Sequence, residues 1–504
     1  MKSKEGEVMG YLGIDLGTSG VKIVYMVKPG HIEKQVTKEY PIYHPHPGWS
    51  EQHPMDWWDA TVAGIQEILK EVQASNIAGI GLSGQMHGMV ALDKNGEVLT
   101  PAILWNDQRT HEECLYLNNE VGREFLTKHT GNMALTGFTA PKILWLKKNE
   151  PEIFNQVRYF MLPKDFIGYK LTGEMFTDVS DASGTLYFNV EKRTWSQEVL
   201  DIIGINEDML PKVYESYEVA AEINENTSNE TGLPVGVKVV AGGGDNAAGA
   251  VGSGIIQEGT ALISLGTSGV VFSPQKSYSV DENNRLHSFC DATGKWHVMG
   301  VMLSAAASLK WWIEDIHDGD YDQLLQEAEA SPAGSNGLYF LPYLSGERTP
   351  HNDPFARGTF IGLSPTHTRG DMTRAVLEGV AFALNDSFAI SRDLDLTFDE
   401  VSIIGGGTKS SLWMQIFADL LQTKVVTSSN SGGPAVGAAI LAAVGTGAYH
   451  SLEEACTNMN ENEQVFEPNV SNGEVYAKMF PVFQKIYSVL KDTFGEIYDV
   501  NKSL

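Results

Sequence analysis

The sequence YLGIDLGTSGV at residues 11–21 recurs in the second half of the chain as ALISLGTSGV at residues 261–270. The stretch Leu-Gly-Thr-Ser-Gly-Val is identical in both copies and lies at 16–21 and at 265–270. In each copy an apolar run, a Gly-Thr-Ser-Gly segment and a second apolar run follow one another, which predicts a β-hairpin with a tight turn. The repeat, in a chain of 504 residues, predicts two related domains that face each other and present similar turns.

Two further glycine clusters follow apolar runs. VKVVAGGGDNAAG at 237–249 and VSIIGGGTKS at 401–410 each predict a buried strand, a glycine-rich turn and then a helix. GPAVGAAILAAVG at 433–445 predicts a helix of small residues that packs closely against a neighbour. Because strands alternate with helices, the predicted fold class is α/β. We place the two domains at residues 1–250 and 251–504.

Amphipathic patterns predict three helices with one core-facing side. The first begins near Pro54, which suits a first helical turn, and carries Trp58 and Ile65 on its apolar face. The second is expected to have Asp371 as its N-cap. The third carries an aromatic stripe from Tyr476 to Phe494. We interpret all three apolar faces as parts of the core.

The charge and the cysteines exclude several classes of protein. With 36 Lys and Arg against 64 Asp and Glu, the formal net charge is −28, which argues against binding to nucleic acid or to anionic membranes. Three scattered cysteines do not form a disulfide framework or a zinc site. Asp15 interrupts the apolar run near the N-terminus, so no signal peptide is predicted, and no apolar stretch is long enough to span a membrane. We expect a soluble, cytoplasmic protein.

The two repeated turns are candidate phosphate-binding sites. A Gly-Thr-Ser-Gly turn exposes backbone N–H groups and hydroxyls, and such a nest binds phosphate without net positive charge. An ordinary hairpin turn is the alternative for either copy alone. The pattern of neither a Rossmann dinucleotide site nor a Walker P-loop occurs at these turns. The candidate residues are Gly17, Thr18, Ser19, Gly266, Thr267 and Ser268.

Two aspartates lie beside glycine-rich turns. Asp15 precedes the first phosphate turn and is a candidate ligand for Mg²⁺, which typically takes one or two carboxylates together with substrate phosphates; a turn-capping role is the alternative. Asp245 follows three glycines and could accept the proton of an alcohol that attacks phosphorus. It could equally be the N-cap of a helix that begins at Asn246.

Two polar stretches follow predicted strands and suit a polyhydroxylated ligand. Gln85, Met86 and His87 follow IAGIGLSG, and the His could contact a sugar hydroxyl or be structural. The segment WNDQR, which contains Trp105 and Asp107, offers a ring face beside hydrogen-bonding groups.

Taken together, these motifs resemble the FGGY family of carbohydrate kinases, in the superfamily of actin, hexokinase and the Hsp70 ATPases. GIDLGTSGVK and ISLGTSG are similar to the family's two phosphate motifs, and IIGGGTKS is similar to its adenosine motif. The resemblance of the last motif implies that Gly405, Gly406, Gly407 and Lys409 bind the nucleotide. GFTAPKILWLKK at 137–148, and GTFIGL at 358–363 with DMTRAVLE at 371–378, are similar to the two family signatures.

The resemblance implies roles for individual residues. Asp245 would be the catalytic base, Met86 and His87 would touch the sugar, and Asp15 would help to hold Mg-ATP. Gln85, Trp105, Asp107 and Asn246 are further candidate sugar contacts.

The resemblance also implies the fold and the activity. The fold would be two ribonuclease-H-like α/β domains around a central cleft. Stretches such as GWSEQ, GQMHG, LPKDF and LSGERTPH are similar to family members that phosphorylate D-xylulose at its 5-hydroxyl with ATP and Mg²⁺. Gluconate, ribulose and glycerol are alternative substrates, and a sugar-independent ATPase is an alternative of another class. Many relatives are dimers, so a homodimer is compatible with the resemblance.

Overall fold

The computed structural model describes residues 9–428, 432–457, 459 and 463–503. It has two mixed seven-stranded sheets, one in each half of the chain. Each half begins with the predicted hairpin. In the first, Leu16 pairs with Val21, and in the second, Leu265 pairs with Gly269. The prediction of two matched hairpins is therefore confirmed.

The first sheet has the strand order β5-β6-β4-β1-β2-β3, and β7 also pairs with β4. Strands β1 and β4 are parallel, as are β6 and β4, and β7 and β4. Its strands are β1 Gly10–Leu16, β2 Gly20–Lys28, β3 His31–Glu39, β4 Ile77–Gly84, β5 Val219–Glu222, β6 Lys238–Val240 and β7 Gly243–Gly244.

The second sheet has the strand order β10-β11-β9-β8-β12-β13-β14. As in the first sheet, the first strand of the hairpin pairs in parallel with a later strand, here β8 with β12. Its strands are β8 Gly259–Leu265, β9 Gly269–Gln275, β10 His287–Cys290, β11 Trp296–Met302, β12 Phe398–Ile404, β13 Lys424–Ser428 and β14 Glu463–Phe466.

Helices cover the sheets, and five short strand pairs lie outside them. The helices used below are α1 Pro54–Ile68, α2 Asp245–Gly252, α3 Arg369–Asp393, α4 Ser411–Leu421, α5 Gly433–Gly445 and α6 Val470–Ser503. The other α-helices are His111–Leu115, Arg123–Thr130, Thr139–Asn149, Pro151–Phe154, Pro163–Thr172, Val179–Ala182, Gln197–Ile203, Glu225–Thr231, Ala306–Lys310, Tyr321–Ala330 and Leu452–Cys456, with π-helical turns at Tyr116–Gly122 and Trp311–Ile316. The strand pairs are Glu51–Gln52 with Ala102–Ile103, Val90–Leu92 with Tyr159–Met161, Phe176–Asp178 with Lys212–Tyr214, Phe188–Asn189 with Thr194–Trp195, and Tyr339–Leu341 with Thr359–Ile361.

Helix α5 comes from the second half of the sequence but packs on the first sheet. It lies against β1, β4 and α2, and the contact is backbone against backbone. A Cβ atom on Gly13 or Gly81 would lie 1.8 Å from the carbonyl oxygen of Ala435 or Ala438, respectively. The predicted close packing of this small-residue helix is confirmed. The boundary between residues 250 and 251 stays a prediction.

One predicted helix start is wrong. Helix α3 begins at Arg369, and its N-cap is Thr368, not Asp371. Asp371 is the third residue of the helix, and its Oδ2 accepts the Thr368 backbone N–H at 2.8 Å while the Thr368 hydroxyl accepts the Asp371 N–H at 3.2 Å. This is a capping box, in which a Thr and an acidic residue three positions later satisfy each other's N–H groups.

Among the residues that the structure describes, none of the helices combines the length and the apolar character that a membrane span requires.

We expect Gly81→Ala to destabilise the protein. The added Cβ would collide with the Ala438 carbonyl oxygen, and overpacking of this kind costs about 1–3 kcal/mol. The matched control is Gly495→Ala, because a Cβ there meets nothing within 4 Å and alanine favours a helix. Calorimetry should show a lower Tm for Gly81→Ala alone; equal Tm values for the two variants would contradict this packing.

Candidate active site

Three parallel strand ends bring the candidate residues of the first half together. Strand β4 pairs in parallel with β1, where Leu16 lies opposite Gly84, and with β7, where Gly244 also lies opposite Gly84. The carboxyl ends of parallel strands meet at one edge of a sheet, and ligands bind there in open α/β sheets. The first phosphate turn, the segment after β4 and Asp245 therefore lie side by side.

The second half repeats this arrangement for the other two glycine turns. Strand β8 leads into Gly266, and its parallel neighbour β12 leads into Gly405. Gly405 has a φ of 101°, and a Cβ there would lie 2.7 Å from the carbonyl oxygen of Leu265. The second phosphate turn and the predicted adenosine turn are thus adjacent.

A cavity of about 240 Å³ lies between the two halves. From the first half it is lined by sequence-predicted residues that include His87 and Asp245, and from the second by Ser268 of the matching turn. Its full lining is Met86, His87, Trp105, Leu135, Gly137, Phe138, Asp245, Asn246, Ser268, Val270, Met299, Val301 and Arg348.

Asp245 begins helix α2, and the carboxyl group has an unusual environment. The N-cap is Gly244 without a side-chain capping bond, so the alternative capping role is not observed. Asp245 Oδ1 accepts the backbone N–H of Asn246 at 2.7 Å and its side-chain amide at 2.9 Å. Burial, reinforced by the negative charge of Asp15, raises the pKa of Asp245 to about 7. A carboxyl group with this pKa exchanges a proton readily near neutral pH.

Asp15 is half-buried, and one of its carboxylate oxygens is buried without a hydrogen-bond partner in the described part of the chain. Burial raises its pKa to about 6, although the charge of Lys22 on the paired strand opposes this. Its Oδ1 atom has no hydrogen-bond partner among the described residues. An unpaired buried carboxylate is costly unless a cation or a donor satisfies it, so this position fits Mg²⁺. The described part of the chain contains no cluster of three or more metal-ligating side chains.

His87 is neutral and its ring orientation is fixed. Its Nδ1 lies 2.7 Å from the carbonyl oxygen of Gly184; because a carbonyl only accepts, Nδ1 carries the proton and Nε2 is left as an acceptor. Burial, which the hydrogen bond to Gly184 only partly offsets, lowers the pKa of His87 to about 3. His87 also has a φ of 70°.

A buried lysine of the GFTAPK segment holds this part of the cavity wall. Lys142 Nζ donates to the carbonyl oxygens of His87 at 2.8 Å and Gly137 at 2.7 Å, and both residues line the cavity. No local pattern indicates this role, because the other acceptor, the carbonyl oxygen of His87, lies in a distant segment of the chain.

Another buried lysine supports the glycine turn before Asp245. Lys164 Nζ lies 3.0 Å from Asp178 Oδ1, and neither side chain is exposed. The other Asp178 oxygen accepts from Ser180 Oγ at 2.5 Å, and that hydroxyl accepts the Gly244 N–H at 3.1 Å. These contacts fix the backbone that carries Asp245.

Other predicted residues have a structural place near the cavity. The Asp107 carboxylate is fully buried and accepts the Ser50 N–H at 2.7 Å and the Arg109 guanidinium at 2.7 Å. Gln85 Nε2 donates to Gln52 Oε1 at 3.0 Å. Neither Asp107 nor Gln85 lines the cavity, whereas Trp105, Met86 and Asn246 do.

The glycine turns present groups that a nucleotide could use. Thr18 Oγ1 accepts from the indole of Trp105 at 3.1 Å, and the Thr18 carbonyl oxygen accepts from Gln52 at 2.8 Å. Ser19, Thr267, Ser268, Gly405, Gly406 and Lys409 are exposed, while Gly17 and Gly266 are half-buried and Gly407 is buried.

Sequence patterns did not identify part of the cavity lining. Leu135, Met299 and Val301 are apolar and carry no local signal, and the signature stretch that contains Phe138 does not indicate that this side chain lines a cavity. Arg348 lies in the distinctive stretch LSGERTPH, but nothing in that stretch indicates that it faces the cleft.

Comparison with known proteins identifies the family. The N-terminal domain model of the FGGY family of carbohydrate kinases matches residues 10–252, and its C-terminal domain model matches residues 261–446. The chain belongs to the FGGY family of carbohydrate kinases. The two-domain α/β fold with the two matched sheets is the actin/hexokinase-like fold of this family.

Curated relatives and solved structures match over nearly the whole chain. Xylulose kinase from Bacillus subtilis (strain 168) is 40% identical over 485 residues, which is 95% of this chain and 97% of the relative. The ligand-bound xylulose kinase from Lactobacillus acidophilus has a TM-score of 0.93 at 28% identity, covering 97% of this chain and all of that chain. A gluconate kinase from the same organism gives the same values, so the fold of this FGGY kinase does not by itself decide the sugar.

The raised pKa of Asp245 predicts that Asp245→Asn stabilises the unliganded protein at high pH. The folded state binds the Asp245 proton more tightly than the unfolded state does. The contribution of this proton to the free energy of unfolding is therefore fully present below about pH 4 and is lost as pH rises through about 7. At pH 8 we expect the variant to be at least about 1 kcal/mol more stable.

Urea unfolding between pH 4 and pH 8 without nucleotide or Mg²⁺ measures this difference. The control is the same substitution at an exposed position of α1, Asp59→Asn. A difference between Asp245→Asn and the unsubstituted protein that does not change with pH would contradict the expected titration.

Proposed function

We propose that this FGGY kinase transfers the γ-phosphoryl group of ATP to the 5-hydroxyl of D-xylulose, forming D-xylulose 5-phosphate and ADP. The observation that carries the proposal is the position of Asp245, which lines the cleft cavity beside the glycine turns. The curated relatives named xylulose kinase, at about 40% identity over 95% of the chain, support this sugar.

In the proposed reaction Asp245 is the catalytic base. It accepts the proton of the 5-hydroxyl as the sugar oxygen forms its bond to the γ-phosphorus, and the bond from that phosphorus to the bridging oxygen breaks to release ADP. A base whose pKa of about 7 lies near the operating pH suits this proton transfer. Phosphoryl transfer depends mostly on positioning and on stabilisation of charge.

The glycine turns and Asp15 are the proposed nucleotide site. Gly17, Thr18 and Ser19 face one side of the phosphates, Gly266, Thr267 and Ser268 face the other, and Gly405, Gly406, Gly407 and Lys409 bind the adenosine end. Asp15, with its unused buried oxygen, would hold Mg²⁺ directly or through water. When bound, Mg²⁺ would neutralise charge on the phosphates.

The proposed sugar site is the wall opposite these turns. His87 Nε2, the acceptor left free by the bond to Gly184, accepts a sugar hydroxyl. Trp105 and Met86 offer apolar surface to the C–H groups, and Asn246 offers its amide. A role for Gln85 or Asp107 would be indirect, through Gln52 and Arg109. A homodimer and a cytoplasmic location stay predictions from the resemblance and the composition.

The direct test is ADP release from the purified protein with Mg-ATP and a panel of sugars. We expect a large increase with D-xylulose and little with ribulose, gluconate or glycerol. A larger increase with another member of the panel would overturn the proposed sugar. Turnover that no sugar increases would overturn the kinase proposal.

Asp245→Asn should lower kcat about 10²- to 10⁴-fold, which is the usual contribution of a general base. The amide keeps the shape but does not accept the proton. Steady-state kinetics with saturating D-xylulose measures kcat, and calorimetric titration checks that ATP still binds. A kcat close to that of the unsubstituted enzyme would remove Asp245 from the role of base.

His87→Asn should raise the KM for D-xylulose about 5- to 10-fold, since one neutral hydrogen bond contributes about 1 kcal/mol. Asn tolerates the positive φ at this position, so the backbone should be retained. The KM for ATP should not change. Unchanged sugar kinetics, or an equal rise in both KM values, would contradict a direct sugar contact.

A further inference from the structure

Arg348 brings a positive charge into the cavity from the second half of the chain. It follows the strand Tyr339–Leu341, and it lines the same cavity as His87 and Asp245. Its guanidinium donates no hydrogen bond to a described residue, and no described carboxylate lies within salt-bridge distance of it. Burial lowers the pKa of Arg348, but an arginine stays protonated in proteins. Arg348 is half-buried and lines the cavity, so its guanidinium offers N–H donors that a ligand bound there can accept from.

The adjacent carboxyl group does not pair with the guanidinium. Glu347 Oε1 accepts the Leu303 N–H at 3.0 Å and the backbone N–H of Arg348 at 2.7 Å. Burial raises the pKa of Glu347 to about 8, so this carboxyl is largely protonated at neutral pH. Glu347 therefore holds the backbone of Arg348 and leaves the guanidinium to the cavity.

The segment that carries Arg348 is fixed on both sides. The Thr349 N–H donates to the Val301 carbonyl oxygen at 2.9 Å, and the Val301 N–H donates to the Thr349 hydroxyl at 3.0 Å. Glu347 forms a reciprocal backbone pair with Asp353, at 2.9 and 2.8 Å. A site held in this way binds with little loss of conformational freedom.

The charge of Arg348 acts at the histidine end of the cavity. It lowers the pKa of His87 and of His287, whereas the charge that acts on Asp245 is that of Asp15. His87, Asp245 and Arg348 line one cavity, and we take the sugar to lie with its 5-hydroxyl at Asp245 and its other end toward His87 and Arg348. In a 2-ketose that end carries the carbonyl group at C2, and a carbonyl oxygen only accepts hydrogen bonds, as a guanidinium only donates them.

We propose that Arg348 is a specificity-determining residue that donates hydrogen bonds to the C2 carbonyl oxygen of the ketose. This inference rests on the proposed function, because it takes D-xylulose with its 5-hydroxyl at Asp245 as the substrate. Arg348 thereby favours ketoses over the corresponding alcohols, since a hydroxyl at C2 is a weaker acceptor and must also place its own proton. A site built to pair one substrate group discriminates strongly against analogues that lack it.

The test compares D-xylulose with xylitol and D-arabinitol, the two alcohols formed by reduction of its C2 carbonyl. Calorimetric titration gives the Kd of each compound for the unsubstituted enzyme, Arg348→Met and Arg348→Lys. Arg348→Met should weaken D-xylulose binding about 10- to 100-fold, as expected for hydrogen bonds from a charged donor, and change binding of the alcohols less than about threefold. The Kd of D-xylulose for Arg348→Lys should lie between the values for the unsubstituted enzyme and for Arg348→Met.

The matched control is Arg123→Met on the exposed surface, which should change none of these constants. Unchanged binding of a non-hydrolysable ATP analogue shows that a variant is folded. If Arg348→Met does not fold, Arg348→Lys is used for the comparison of the ketose with the alcohols. An equal loss for the ketose and both alcohols, or no loss for the ketose, would overturn the role of Arg348. Failure of the unsubstituted enzyme to phosphorylate D-xylulose would instead overturn the proposed function.

Discussion

The close approach of helix α5 to the first sheet is the constraint on which the site depends. Its backbone lies directly against Gly13 of β1 and Gly81 of β4, and a Cβ on its own Gly437 would lie 1.8 Å from the carbonyl oxygen of Ala248 in α2. Two strands and a helix that carry candidate residues at their ends are thereby held in one place. That packing determines the relative positions of three parts of the site: the first phosphate turn, the segment that contains His87, and Asp245.

Polar contacts beyond this packing complete the cavity, and many of them use residues from the distinctive sequence stretches. Lys142 holds the carbonyls of His87 and Gly137, and Lys164 supports the turn before Asp245 through Asp178 and Ser180. Neither lysine side chain lines the cavity itself. Both lysines are fully buried, and removing a partner of a buried charge is costly.

Much of the fold was predictable because its signals are local. The Gly-Thr-Ser-Gly turns, the strand-turn-helix pattern at 237–249 and the small-residue helix all depend on residues adjacent in sequence. The start of α3 was misplaced because Thr368 and Asp371 both suit an N-cap, and only the structure shows how they share the capping bonds. Asp107 resembled a ligand contact, yet its partner Arg109, two residues later, occupies its carboxylate.

The cavity lining was less predictable, because it joins segments distant in the chain. Arg348 lines the cleft from the second half of the chain. Its interpretation as a ligand contact depends on the lack of a hydrogen-bond acceptor for its guanidinium among the described residues. Lys142 and Lys164 likewise act across long sequence separations.

The proposed roles of Asp245 and Arg348 both depend on the orientation of the sugar, with its 5-hydroxyl at Asp245 and its carbonyl end at Arg348. The most direct measurement is ³¹P and ¹³C NMR of the product formed from ATP and D-xylulose. The expected product is a single phosphate ester at the 5-oxygen, with ³¹P–¹³C coupling at C5 and C4 and none at C1. Coupling to C1 would contradict the orientation, and inorganic phosphate as the only product would contradict phosphoryl transfer to the sugar.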